Sequence, residues 1–182
     1  DLATEISLKR TDLALFDFNW SHRLLTCRLV EIKCYQNAGG SLETLNALKQ
    51  GISAQLNASE QAIRKSFNLE VSPELERPDK VIRDRQFRSL LEFYIERASR
   101  LGLMTADAYH EARAFLSLME QGYEIAFTKS AVIFDFEKPG RDESLEDNGV
   151  EYHRVGRDLI MTLVEALPDA ESGMETTAFG AD

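Results

Sequence analysis

Residues Thr11 to Tyr35, TDLALFDFNWSHRLLTCRLVEIKCY, hold two runs that alternate with the period of a pleated strand. In the first run Leu13 and Leu15 fall on one face, and Asp12, Ala14 and Phe16 on the other. In the second, Val30, Ile32 and Cys34 share a face, and Leu29, Glu31, Lys33 and Tyr35 share its opposite. Asn19 to Arg23 is polar and short enough to be the turn of an antiparallel hairpin. Pairing of residue 12 with 31 or 33 then projects Asp12, Glu31 and Lys33 from one face, whereas a slip of one residue separates them. Asp17 lies on the Leu13/Leu15 face, within reach of Arg28, and reads as a structural ion pair.

Two carboxylates and an amine on one sheet face suit metal-assisted phosphodiester hydrolysis. Asp12 and Glu31 offer hard oxygens for Mg²⁺ or Mn²⁺, a type of ion that takes one or two carboxylates and keeps several waters. Lys33 would orient the attacking water or steady the developing charge. A Glu-x-Lys triplet alone is common on solvated strands; the aspartate, strand pattern, spacing and following helix give it weight. This D…ExK hairpin resembles the core of the PD-(D/E)xK nuclease superfamily, with Thr11 where a proline often precedes the aspartate. The fold class expected is α/β, a mixed sheet with this hairpin at its centre, covered by helices and rich in them.

The chain has 182 residues, 43% of them apolar and 9% aromatic, enough for one domain with a real core. No apolar run approaches membrane-spanning length, and there is no signal-peptide pattern. Cys27 and Cys34 lie on opposite faces of one strand by parity, so free thiols and a reducing, cytoplasmic compartment are expected. The first residue is Asp1 rather than Met, and a longer parent chain is expected. The formal charge of −10 is uneven: residues 137–182 carry −8 and the other 136 residues only −2. A near-neutral front is compatible with a nucleic-acid partner, which needs local positive potential more than net charge.

Residues 1–10 are too short for the helix and strand that precede the aspartate strand in such nucleases; either Glu5 substitutes or those parts lie upstream. Beyond the hairpin, Ser41 is expected to cap a helix reaching about Phe67, with Leu45, Leu48, Ile52, Leu56, Ile63 and Phe67 buried. Gln55 falls beside Ile52 and Ser59 and either looks toward the metal site or lies on the surface. Gly51 inside this helix hints at close packing. Pro73 and Pro78 break the connection to a second helix, about Lys80 to Arg100, capped by Asp79. Its apolar side is read as Ile82, Leu90, Phe93, Tyr94 and Ala98, and its many arginines as a solvated face balanced by Asp84, Glu92 and Glu96, with a DNA phosphate track as the alternative. A third helix runs from Thr105 to Gln121 with Tyr109, Ala112, Phe115, Leu116 and Met119 inward and Gly122 as its stop.

Tyr123 to Glu137 reads as two short strands around Thr128-Lys129, residues 139–149 as a charged loop, and 154–167 as a last helix before an acidic tail. The domain reading is therefore a nuclease-like core over 1–137 and a peripheral 138–182. His22, His110 and His153 have no evident Ser or Cys partner and receive no catalytic role.

The strings RTDLALFDF, RLVEIKCYQN, RPDKVIRDRQFRSLLEFYIERASRLGLM, SAVIFDF and GVEYHRVGRDLI, spread over residues 8–164, resemble the nuclease region of phosphorothioation-dependent DNA restriction proteins of the DptH type. That resemblance implies a bacterial defence role against DNA lacking the phosphorothioate mark, with other restriction-system subunits as partners. It also implies coupling to a HerA/FtsK-like ATPase, whose phosphate-binding G-x-x-x-x-G-K-[ST] pattern this chain does not contain. In nucleases of this class a glutamine on the helix after ExK often touches the site, the role the resemblance gives Gln55. The alternative is a nuclease-fold module that binds DNA or partner subunits without cutting.

Overall fold

The computed structural model describes residues 11–36, 38, 42–67, 79–140 and 142–167. Strands β1 (Leu13–Asn19) and β2 (Leu24–Tyr35) form the expected hairpin, followed by helices α1 (Leu42–Phe67), α2 (Lys80–Arg100) and α3 (Ala106–Leu118). Strands β3 (Glu124–Asp135), β4 (Asp142–Asp147) and β5 (Val150–Gly156) and helix α4 (Arg157–Glu165) follow. The fold is α/β, and the described residues form a mixed five-stranded sheet in the order β1-β2-β3-β5-β4. β1 pairs antiparallel with β2, β2 and β5 both pair parallel with β3, and β4 closes antiparallel on β5. Among the described residues β1 is the outermost strand, so the hairpin sits at one side of the sheet rather than at its centre.

The turn forms for local reasons. Asn19 Oδ1 accepts from Ser21 Oγ at 2.9 Å and from the His22 backbone N–H at 3.2 Å, and Arg23 takes φ 50°. The register Leu13↔Val30 places position 12 beside 31. Arg28 Nη2 reaches Asp17 Oδ2 at 2.8 Å, the structural pair read from the sequence.

The helices cover the face bearing Leu25, Cys27, Leu29 and Glu31. α2 and α3 pack Phe87, Leu91, Ile95, Ala112, Phe115 and Leu116 on Leu25, while α1 packs Ile52 and Leu56 on Cys27 and Leu29. Leu13 and Leu15, on the opposite face, are half exposed. α3 begins as expected, with Thr105 Oγ1 accepting from the Ala108 N–H at 3.2 Å, and ends in a 3₁₀ turn before Gly122.

Several expectations change. α2 buries Phe87, Leu91 and Ile95, whereas Ile82, Leu90, Phe93 and Tyr94 are exposed; two stripes share the helix, and the one facing the sheet is the other. Asp79 stands at the N-cap of α2, but its side chain makes no capping hydrogen bond and lies 3.5 Å from Arg83 Nε. A Cβ on Gly51 would meet nothing within 4 Å, so that glycine is not there for close packing. Thr128-Lys129 is no break: β3 runs unbroken because all twelve of its residues pair with β2.

Residues 142–156, read as loop and helix start, are two strands joined by Asn148-Gly149, both at positive φ. That dipeptide is the signature of a tight hairpin, and it was the signal to weigh over the charge around it. The sheet thus continues past residue 138. At its end Gly156 is required, since a Cβ there would lie 2.5 Å from the Gly140 carbonyl oxygen. Residues 1–10 with Glu5, the Ser41 cap, the 68–78 connection and the acidic tail lie outside the described residues.

Candidate functional site

Alternation along β2 turns Glu31 and Lys33 toward the helix-covered face, and α1 crosses that face one layer above. Glu31 is wholly buried, unusual for a carboxylate. Its Oε1 accepts from Gln55 Nε2 at 2.7 Å and from Lys33 Nζ. Gln55 reaches inward because it sits between Ile52 and Leu56 on the buried stripe of α1, which decides between its two sequence readings in favour of the inward one.

One turn further along α1, Ser59 Oγ accepts from the Thr11 N–H at 2.9 Å, and Thr11 Oγ1 donates to the Val30 carbonyl at 2.8 Å. The chain is thereby pinned just before Asp12, whose Oδ2 accepts from the Ile32 N–H at 2.7 Å. β1 does not extend far enough to pair that N–H, so the aspartate side chain takes the place of a strand carbonyl.

The electrostatics follow from this packing. The hydrogen bond to Glu31 chiefly, with the charges of Glu31 and Asp12, holds the Lys33 ammonium above its ordinary range, against the opposing effect of burial. Glu31 Oε2 is buried and has no hydrogen-bond partner among the described residues. An anionic oxygen left so costs about 1–3 kcal/mol or more, and it is the kind of atom a cation satisfies. The donor set, carboxylate oxygens from Glu31 and Asp12, fits Mg²⁺ or Mn²⁺. Among the described residues no three His, Cys, Asp or Glu side chains cluster, so water or substrate would have to supply the remaining ligands.

Asp12, Glu31, Lys33 and Gln55 therefore gather at one end of the hairpin. Sequence reasoning missed Asp135, at the end of β3 on the same face. Its buried carboxylate accepts from Arg154 Nε at 3.0 Å, Ala38 N at 3.1 Å, Lys138 N at 3.2 Å and Glu137 N at 3.3 Å. It ties the loop after β2 to the loop after β3. His153 does have a serine partner, Ser144 Oγ at 2.9 Å from Nδ1, with Glu151 3.5 Å from Nε2. These are neighbours on β4 and β5, on the sheet face away from Glu31.

No protein-family model, no curated protein and no solved structure matches this chain. Among the described residues no helix is long and apolar enough to cross a membrane.

Proposed function

We propose that this chain is the metal-dependent DNA nuclease domain of a bacterial restriction or defence protein that acts on DNA lacking phosphorothioate. The observation that carries the reading is the buried, unpartnered Glu31 Oε2 beside Lys33 and next to Asp12 in strand register. An aspartate-bearing strand, an antiparallel ExK strand, a covering helix and a strand parallel to ExK are also the order expected of a PD-(D/E)xK core.

Asp12 and Glu31 would hold Mg²⁺ or Mn²⁺, which supplies positive charge to the phosphoryl oxygen and acidity to the attacking water. Gln55 fixes the Glu31 carboxylate through Oε1 and leaves Oε2 for the ion. Lys33, charged and half-buried, orients the water and steadies the pentacoordinate phosphate's added charge. The partners in this reading are DNA, the other restriction subunits and a HerA/FtsK-like ATPase region elsewhere in the parent chain.

One observation favours the rival, a non-cutting module. Asp12 already satisfies the Ile32 N–H, a structural task that would outlast the loss of catalysis. The test is cleavage of unmodified plasmid with Mg²⁺ or Mn²⁺, by this chain and by the longest parent protein with its partners and ATP. Asp12→Asn and Lys33→Ala run alongside, their melting temperatures checked. Metal-dependent cutting lost in both variants supports the nuclease; intact DNA in every arm, with no Mn²⁺ binding by titration, leaves the binding module.

A further inference from the structure

The outer face of α2 is unexplained by any nuclease role. Ile82, Leu90, Phe93, Tyr94 and Leu101 are 37–60% exposed. With Gln86 and Arg97, all but Tyr94 follow the positions 82, 86, 90, 93, 97 and 101, a ridge about 28 Å long at 1.5 Å per residue, with Tyr94 beside Phe93. Phe93 and Tyr94 stack edge to face, 5.3 Å between ring centroids. The core-facing stripe of Phe87, Leu91 and Ile95 lies beside it, so among the described residues the ridge takes no part in core packing. An apolar strip of this length with aromatic and arginine side chains has the composition of a protein-binding surface.

Charge identifies the occupant. The acids of α2 point elsewhere: Glu92 and Glu96 turn to α3, where Arg113 meets both and the Tyr109 hydroxyl donates to Glu96 at 2.7 Å. Asp84 lies near Tyr123 on the core side. The ridge therefore carries Arg83, Arg97 and Arg100, and the carboxylate at its N-terminal end, Asp79, is taken up by Arg83, whose Nη1 also reaches Gln86. Parallel pairing with a second copy would set Arg97 and Arg100 against themselves.

We propose that this ridge docks an amphipathic helix of a partner protein whose apolar stripe is flanked by Asp and Glu. The apolar side chains supply the contact, and the arginines select an acidic partner and set its register. The inference is independent of whether Asp12, Glu31 and Lys33 cut DNA.

The test uses the whole chain and two labelled designed helices of about 21 residues, with leucine at the heptad core positions and either glutamate or lysine flanking them. Fluorescence anisotropy is expected to give a Kd of about 100 µM or tighter for the glutamate helix, and binding at least about tenfold weaker for the lysine helix. Phe93→Ser, at an exposed site, should abolish binding with an unchanged circular dichroism spectrum. Arg97→Glu should weaken the glutamate helix and strengthen the lysine helix, a charge swap that misfolding cannot imitate. No binding, equal binding of both helices, or binding that survives both substitutions overturns the proposal. So does a dimer, seen by sedimentation, or binding to phosphatidylserine vesicles, if Phe93→Ser abolishes either.

Discussion

Gln55 Nε2 donates to Glu31 Oε1 across 2.7 Å, joining the middle of α1 to the ExK strand. In the proposed nuclease site Glu31 would hold the metal, and a side chain that orients such a ligand through its second oxygen controls affinity without touching the ion. Groups in that position typically change metal affinity by about 10–100-fold. Gln55→Ala is therefore expected to weaken Mn²⁺ binding by about tenfold or more, measured by isothermal titration, while Gln55→Glu sets a second carboxylate against Glu31 and disturbs the site further. Unchanged affinity in Gln55→Ala would show that the glutamine only fills space.

Asp135 and Arg154 form another buried charge pair on this face, and their role is to hold loops rather than substrate. Burial works to raise the Asp135 carboxyl, but hydrogen bonds from Arg154 and the Ala38 and Lys138 N–H groups outweigh it and hold the group below its ordinary range. A depressed folded pKa contributes stability that is complete above the unfolded value, near 3.9, and is lost as pH falls through the folded one. Asp135→Asn leaves Arg154 facing a neutral amide, which at pH 7 is expected to cost about 3 kcal/mol. Urea unfolding should show that gap narrowing below about pH 4, as the native carboxylate protonates too; a gap independent of pH would mean that shape alone, not charge, ties these loops.

How much could be read in advance depends on whether a pattern has one solution. The hairpin was legible because alternation admits only two faces, and Asp17 with Arg28 fixes which residues share the outer one. The juxtaposition of Asp12, Glu31 and Lys33 was legible for the same reason, because register decides where they point. α2 was not, because Phe87/Leu91/Ile95 and Ile82/Leu90/Phe93 both recur at helical spacing, and only the position of the sheet chooses between them. β4 hid behind its charge, since DESLED is an acidic edge strand whose partner, β5, carries the buried Val150 and Tyr152. Asp135 was invisible as a hub because Arg154 lies 19 residues away, where the expected helix start falls on the end of β5.

The two cysteines test the register directly. Cys27 is buried beneath α1, and burial, helped by the nearby Glu60, pushes its thiol up to about 12. Cys34, seven residues on and of opposite parity, is exposed. The thiolate is the reactive form, so at pH 8 Cys27 presents about one reactive molecule in ten thousand and is sterically closed as well. A disulfide exchange reagent is therefore expected to titrate one thiol in the native protein and two in guanidinium chloride, and Cys34→Ser should remove the native signal. If the native signal survives Cys34→Ser and vanishes in Cys27→Ser, β2 is turned over by one residue. Glu31 and Lys33 would then leave the α1 face together, so the same measurement that locates a thiol also decides whether Gln55 can reach Glu31.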